Sequence, residues 1–170
     1  MDIFVNSQPV VKNIGRRKWQ LMEDYPCYFK LSGIWYKVVI YKGFVYDGAS
    51  IPRFAWSILG KTPMGQHDSG TIFHDLVYMV KDGIINNQCH HVAYVALPQG
   101  WQTVKALKLS RKEADKIMFN IIENTKGVVI DRKMSRQLRL MYRSIRIFGG
   151  VMWRKHTENR DINPSNCIEK

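Results

Sequence analysis

The segment from Ser69 to Lys81 constrains the fold more than any other part of the sequence. On a helix, where successive residues advance by about 100°, one continuous arc holds its apolar side chains Ile72, Phe73, Leu76, Val77, Met79 and Val80. A surface helix would carry Lys, Glu or Gln on the other arc, but this one carries Thr71, His74, Asp75 and Tyr78. The pattern predicts a helix that is buried on its apolar side and forms one wall of a functional site. The alternative is a buried helix whose polar groups satisfy one another.

A second helix is predicted from Ser110-Arg111-Lys112-Glu113, which is a capping box, to about Asn124. Its broad apolar arc consists of Ala114, Ile117, Met118, Phe119, Ile121 and Ile122. Asp115 falls inside that arc, and a buried carboxylate without a partner is costly. A histidine or tyrosine from the first helix would serve as the partner. A histidine oriented by a carboxylate on another helix is a tuned general base, so His74 and Asp115 are candidate catalytic residues.

The last predicted helix, from Lys133 to Phe148, has an apolar stripe and a basic stripe at the same spacing, and Gly149-Gly150 is predicted to end it. The apolar stripe consists of Met134, Leu138, Met141, Ile145 and Phe148. The basic stripe consists of Arg132, Arg136, Arg139, Arg143 and Arg146. Because the chain carries a formal charge of +12, we expect the basic stripe to contact anionic phospholipid or nucleic-acid phosphate. A solvated or partner-facing helix is the alternative.

The remaining segments predict an α+β fold with a single domain over residues 16–154 of the 170. Residues 1–15 are expected to form an N-terminal arm, and residues 155–170 a polar tail. Aromatic and β-branched runs over residues 28–46, broken by glycines, predict an antiparallel β meander. Runs at 91–97 and 103–107 flank a Pro-Gln-Gly turn and predict a β-hairpin between the first two of the three main helices.

Composition limits the cellular context. With 45% hydrophobic residues and no apolar run of about 18 residues, the chain is expected to be soluble and to lack a transmembrane segment. Its first residues lack the basic and apolar regions of a signal peptide. The three cysteines, Cys27, Cys89 and Cys167, form no CxxC pair and are interpreted as reduced thiols of a protein made in a cytoplasm.

Metal binding has one favoured interpretation and two others. Asp75 points about 100° away from His74 on the helix, so it is free to hold a hard cation such as calcium. Carbonyl groups of glycine-bearing loops could complete such a site, with Gly48 in one of these loops. A zinc site at Cys89-His90-His91 is disfavoured because consecutive residues do not converge readily. An HD-type metal phosphohydrolase would use His67-Asp68 with His74-Asp75, but this spacing places both pairs on one short helix.

The pattern His74-Asp75-x-x-Tyr78, followed by a hairpin and a helix with an inward Asp115, resembles the active-site helices of phospholipase A2. It is especially similar to the disulfide-free version in parvovirus capsid proteins. The resemblance implies His74 as general base for water, Asp75 as calcium ligand, Asp115 orienting His74, and Tyr78 hydrogen-bonded to Asp115. The Gly-x-Gly-x-Gly calcium loop of that family is absent here.

A second resemblance is to a phage and prophage family, domain of unknown function 1353, over roughly residues 25–153. It is carried by Asp47-Gly48-Ala49-Ser50-Ile51-Pro52, by His74-Asp75-x-x-Tyr78 and by Arg111-x-x-Ala114-Asp115. It implies a bacteriophage source, and a place in the phage virion or the host cytoplasm. The leading hypothesis is a phospholipase A2-like esterase that helps a phage breach the host envelope. The alternative is a non-enzymatic virion or host-interaction protein whose basic helix binds DNA or another virion subunit.

Overall fold

The computed structural model describes residues 4–15, 18–47, 68–86 and 91–158. Within these ranges, five strands precede the first described helix: β1 (Val11–Gly15), β2 (Lys18–Leu21), β3 (Tyr25–Leu31), β4 (Ile34–Ile40) and β5 (Val45–Tyr46). Helix α1 (Asp68–Met79) and a short 3-10 turn (Lys81–Gly83) follow. Four more strands come next: β6 (Ile84–Asn86), β7 (His91–Leu97), β8 (Gly100–Thr103) and β9 (Ala106–Lys108). Two helices complete the described part, α2 (Arg111–Glu123) and α3 (Arg132–Glu158). The α+β class is therefore confirmed, with an antiparallel N-terminal region and three helices among the described residues.

Antiparallel pairing joins the strands into three sheets, with orders β3-β4-β7-β8, β1-β2-β5 and β6-β9. The predicted continuous meander is wrong at its third strand, because β5 pairs with β2 rather than with β4. The free edge of β4 is taken by β7, which is as long as β4, whereas β5 has two residues. The longer pairing supplies more cross-strand side-chain contacts, which are the unit of sheet stabilisation.

The predicted hairpin is present as β7 and β8, but it extends the main sheet instead of projecting between helices. Its second strand is also earlier than predicted, since it covers Gly100–Thr103. The segment Ala106–Lys108, which is β9, turns away to pair with β6, the strand that follows the 3-10 turn after α1. This pairing leads the chain from the sheet to the start of α2.

Helix α1 lies at the centre of the fold, within one residue of the predicted start. Its apolar side packs on the main sheet, where the rings of Phe29 and Phe73 have centroids 5.0 Å apart. Every residue from Asp68 to Tyr78 is buried, so the polar arc is covered as well as the apolar one. At Gly70 a Cβ atom would clash with the carbonyl oxygen of Met118. Glycine at this position therefore lets the backbones of α1 and α2 approach closely.

Helices α2 and α3 share a second hydrophobic cluster made of Met118, Ile122, Met134, Leu138, Met141 and Ile145. Phe148, the last residue of the predicted apolar stripe, is 36% exposed. A strict seven-residue repeat drifts by about 20° per heptad on a straight helix, so Phe148 has rotated by about 40° relative to Met134.

Helix α3 continues through Gly149-Gly150, so the prediction that these glycines end it is wrong. A Cβ atom at Gly149 would lie 2.8 Å from the hydroxyl oxygen of Tyr78. The absence of a side chain at Gly149 therefore allows α3 and α1 to approach each other closely. One turn further on, the Trp153 ring packs edge-on against the Tyr78 ring, with centroids 5.0 Å apart and an 83° interplanar angle.

The described part of the predicted N-terminal arm is packed onto the domain. Val11–Gly15 forms β1, and the Asn6 side chain makes two hydrogen bonds with the backbone of Tyr28. At the other end, α3 includes the first residues of the predicted tail, and residues 159–170 lie outside the described ranges. Within those ranges, none of the helices combines the length and the apolar character needed to span a membrane.

Candidate active site

Three helices meet at the carboxylate of Asp115, which is fully buried on α2. From α1, Nε2 of His74 lies 3.0 Å from Oδ1, and the Tyr78 hydroxyl donates to the same oxygen at 2.8 Å. From α3, Nη1 of Arg146 donates to Oδ2 at 2.7 Å. The structure thus brings His74, Tyr78 and Asp115 together, and adds an arginine to them.

Local sequence fixes the relative positions of these groups. His74 and Tyr78 are one helical turn apart on α1, and their ring centroids are 4.0 Å apart. The start of α2 is fixed by its capping box, in which Ser110 N donates to Glu113 Oε2 at 2.8 Å and Glu113 N donates to Ser110 Oγ at 3.3 Å. The hydroxyl of Ser110 also lowers the pKa of Glu113. Since the first turn of α2 is fixed, so is the direction in which Asp115 points.

Arg146 is the residue whose role sequence reasoning missed, because its spacing assigned it to the exposed basic stripe. Its side chain is 30% exposed and faces Asp115, whereas the other four arginines of the stripe are exposed. The sequence contains a signal for this role, since Arg146 directly follows Ile145 of the apolar stripe and a buried carboxylate requires a cation. Arg111 strengthens the same junction, because its Nη1 donates to the carbonyl oxygens of Ile145 and Arg146 at 3.5 and 3.3 Å.

The charges of this network are set by burial and by hydrogen bonds. Burial lowers the pKa of His74, but the carboxylates of Asp115 and Asp75 outweigh it and raise the pKa above its ordinary value. Burial raises the pKa of Asp115, but hydrogen bonds from His74 and Arg146 bring it below its ordinary value. Burial and the charge of Asp115 raise the pKa of Tyr78, so its hydroxyl keeps the proton that it donates. Asp115 is therefore ionised at neutral pH.

The second ring nitrogen of His74, Nδ1, is the ring nitrogen that Asp115 does not contact. With Nε2–H donating to the ionised Asp115, the neutral ring has its lone pair on Nδ1. This atom makes no hydrogen bond within the described residues, and it lies 3.9 Å from Oδ1 of Asp75. The ring is 0% exposed, so access of a water molecule or substrate to Nδ1 would require the surrounding structure to open.

The two shifted pKa values predict how stability depends on pH. Because the pKa of His74 is raised on folding, this residue contributes to the free energy of unfolding. The contribution is complete below the ordinary pKa of 6.5 and is lost as pH rises through the pKa in the folded protein. Because the pKa of Asp115 is lowered on folding, this residue also contributes to the free energy of unfolding. The contribution is present above the ordinary pKa of 3.8 and is lost as pH falls through the pKa in the folded protein. Urea unfolding should therefore show the highest stability between about pH 4 and 6.5. The alkaline decline should be smaller in His74→Gln than in the wild type, and equal declines would contradict the assignment.

Within the described residues, no group of three or more His, Cys, Asp or Glu side chains could hold a metal ion. Asp75 is buried beside His74, but one carboxylate does not supply the roughly six to eight oxygen ligands that calcium takes. Gly48, the other predicted calcium ligand, lies outside the described ranges, as do His67, Cys89 and His90. The described residues therefore do not fit a calcium site.

Comparison with known proteins gives one match. A family model described as "Protein of unknown function (DUF1353)" matches residues 19–137. No curated protein and no solved structure matches the chain. The matched span includes His74, Tyr78 and Asp115 but ends before Arg146. The family description names no activity, so the chemistry has to be inferred from the geometry of the site.

Proposed function

Because this chain belongs to the DUF1353 family of proteins of unknown function, we propose an activity for it from the site alone: it is a phospholipase A2-like hydrolase of acyl esters. The observation that carries the proposal is the state of the His74 ring. Asp115 holds Nε2 at 3.0 Å, and Nδ1 on the other side of the ring has no hydrogen-bond partner within the described part of the chain. A ring with one nitrogen oriented by a carboxylate and the other available is equipped to act as a general base.

In this mechanism Nδ1 takes a proton from a water molecule as the water oxygen attacks the ester carbonyl carbon. The resulting imidazolium is stabilised by Asp115, and Asp75 lies 3.9 Å from the protonated nitrogen. When the tetrahedral intermediate collapses, the bond between the carbonyl carbon and the alcohol oxygen breaks. The proton on Nδ1 then passes to the alcohol, and the products are a carboxylic acid and an alcohol.

Tyr78 and Arg146 are positioning residues in this scheme. Their hydrogen bonds occupy both oxygens of Asp115, which prevents the carboxylate from rotating away from His74. The Arg146 hydrogen bond also lowers the pKa of Asp115, so the carboxylate stays charged when the imidazolium forms. Three features support the likeness to phospholipase A2: a His and an Asp on adjacent helices, a Tyr one turn after the His, and that Tyr donating to the same Asp.

We further propose a phage or prophage source, supported by the three separated motifs described above. Exposed arginines on α3, among them Arg136 and Arg143, would then hold the enzyme on anionic lipid of the host envelope.

The test is fatty-acid release from vesicles of phosphatidylglycerol and of phosphatidylcholine, over a range from mildly acidic to alkaline pH. We expect release on the anionic vesicles, with a rate that rises as pH passes the pKa of His74, because the base must be neutral. Parallel samples with added calcium and with a chelator show whether a cation takes part. Failure to hydrolyse phospholipids or simple acyl esters at every pH would contradict the proposal.

The complete burial of His74 favours a second candidate function of a different class. In it, the network around Asp115 is a structural polar core, and the protein is a non-enzymatic virion or host-interaction component. The exposed arginines of α3 would bind DNA or a neighbouring subunit. Charge reversal at Arg136, Arg139 and Arg143 separates the two: loss of DNA retardation with unchanged vesicle binding, and no ester hydrolysis, supports the second candidate.

A further inference from the structure

A groove of about 340 Å³ lies between α2 and α3, with side chains of both helices along it. We propose that it binds an anionic amphiphile with a single hydrocarbon chain, such as a fatty acid, an alkyl phosphate or a lysophospholipid. Its volume is in the range of small-molecule sites, which runs from about 300 to 1,000 Å³. The site is separate from the His74 ring and does not depend on the chemistry proposed for it.

The lining of the groove suits a hydrocarbon chain. Leu138 contributes a side chain that is 4% exposed. Phe119 and Tyr142 pack edge to face across the two helices, with centroids 5.2 Å apart and an 81° interplanar angle. Ile130, 40% exposed at the connection between the helices, adds a further apolar surface. Covering these groups with hydrocarbon removes apolar surface from water.

Charge on the groove selects an anionic head group. The exposed cations Lys116, Arg139 and Arg143 line it, and Glu123 is the single acidic residue among the lining residues of the described chain. Guanidinium groups match the geometry of carboxylate and phosphate, and an ammonium adds a point charge. Of the predicted basic stripe, Arg132, Arg136 and Arg146 do not line the groove.

The helix directions give the bound amphiphile an orientation. Asp115 contacts Arg146, and Phe119 contacts Tyr142. Moving four residues toward the C-terminus of α2 therefore corresponds to moving four residues toward the N-terminus of α3. By the same register, Lys116 is level with Ile145, two residues after Arg143, whereas the connection with Ile130 is at the other end. We therefore place the head group between Lys116 and Arg143, with the chain running toward Ile130.

The test is isothermal titration of the full-length protein with monomeric decyl phosphate, and separately with inorganic phosphate and with decanol. We expect decyl phosphate to bind more tightly than either half-ligand. The double substitution Lys116→Gln/Arg143→Gln should weaken binding about tenfold or more. The matched control is Lys112→Gln/Lys133→Gln, which also removes one exposed cation from each helix but outside the groove, and it should change binding by less than about twofold.

Three results would overturn the proposal. Equal losses in the two double variants would indicate non-specific attraction to a basic surface. Equal affinity for inorganic phosphate and decyl phosphate would mean that the apolar lining is not used. Displacement of decyl phosphate by duplex DNA, with equal losses in both variants, would assign the surface to nucleic acid. His74→Gln should leave decyl phosphate binding unchanged, so failure of the hydrolase proposal and failure of this one are distinguishable.

Discussion

Replacing His74 with Gln should lower kcat/KM for ester hydrolysis by about 100- to 10,000-fold while leaving the protein folded. The amide nitrogen of Gln can take the place of Nε2 and donate to Asp115, which His74 contacts at 3.0 Å. No lone pair then remains at the position of Nδ1, so the base is lost and the hydrogen bond is kept. The measurement is fatty-acid release, with the thermal transition followed by circular dichroism to verify folding.

Tyr78→Phe is the informative companion to that variant, because it removes one donor to Asp115 and leaves the His74 contact in place. With a donor lost, the carboxylate attracts the imidazolium proton more strongly, so the pKa of His74 should rise further. We expect a modest loss of rate together with a shift of the pH–rate profile to higher pH. Hydrolysis that survives His74→Gln would refute the mechanism, whatever Tyr78→Phe does.

The largest effect on stability is expected from Asp115→Asn, which should lower the free energy of unfolding by about 3–5 kcal/mol. The substitution keeps the shape of the side chain but removes the charge that compensates Arg146 and stabilises the charged form of His74. Breaking one member of a buried ion pair is strongly destabilising because the other charge loses its partner. Urea unfolding measures the change.

Glu123→Gln is the control for Asp115→Asn, since it removes an exposed carboxylate from the same helix and should change stability by less than about 0.5 kcal/mol. Adding Arg146→Met to Asp115→Asn should recover part of the loss, because the uncompensated guanidinium is then gone. If Asp115→Asn costs less than about 1 kcal/mol, the network does not carry the stability assigned to it.

Much of the site could be predicted because its determinants are local. The periodicity after Ser69 and the capping box at Ser110 placed both helices within a residue of their observed starts. The helical wheel of α2 then turned Asp115 inward, and the need of a buried carboxylate for a donor pointed to His74. The helix assignments and the inward direction of Asp115 need only local sequence, whereas the pairing with His74 joins residues 41 apart in the chain.

The errors concern contacts that local patterns do not encode. The pairing of β5 with β2 depends on which strand occupies the edge of β4, and that strand comes some 50 residues later in the chain. A pair of glycines is typical of a helix end, but the missing side chain of Gly149 leaves room for the Tyr78 hydroxyl. Arg146 differs from its neighbours in the basic stripe only because Asp115 lies opposite it. Such distinctions need the three-dimensional packing of α3.

The position of Arg146 on the last described helix has a consequence for the order of events during protein synthesis. A ribosome releases the segments carrying His74 and Asp115 first, and Arg146 follows Asp115 by 31 residues. Until α3 emerges and docks, the growing chain holds both halves of the dyad without the guanidinium that, together with His74, lowers the pKa of Asp115. The network around Asp115 is thus completed only after α3 has docked on the two earlier helices, so its assembly follows the order of these helices along the chain.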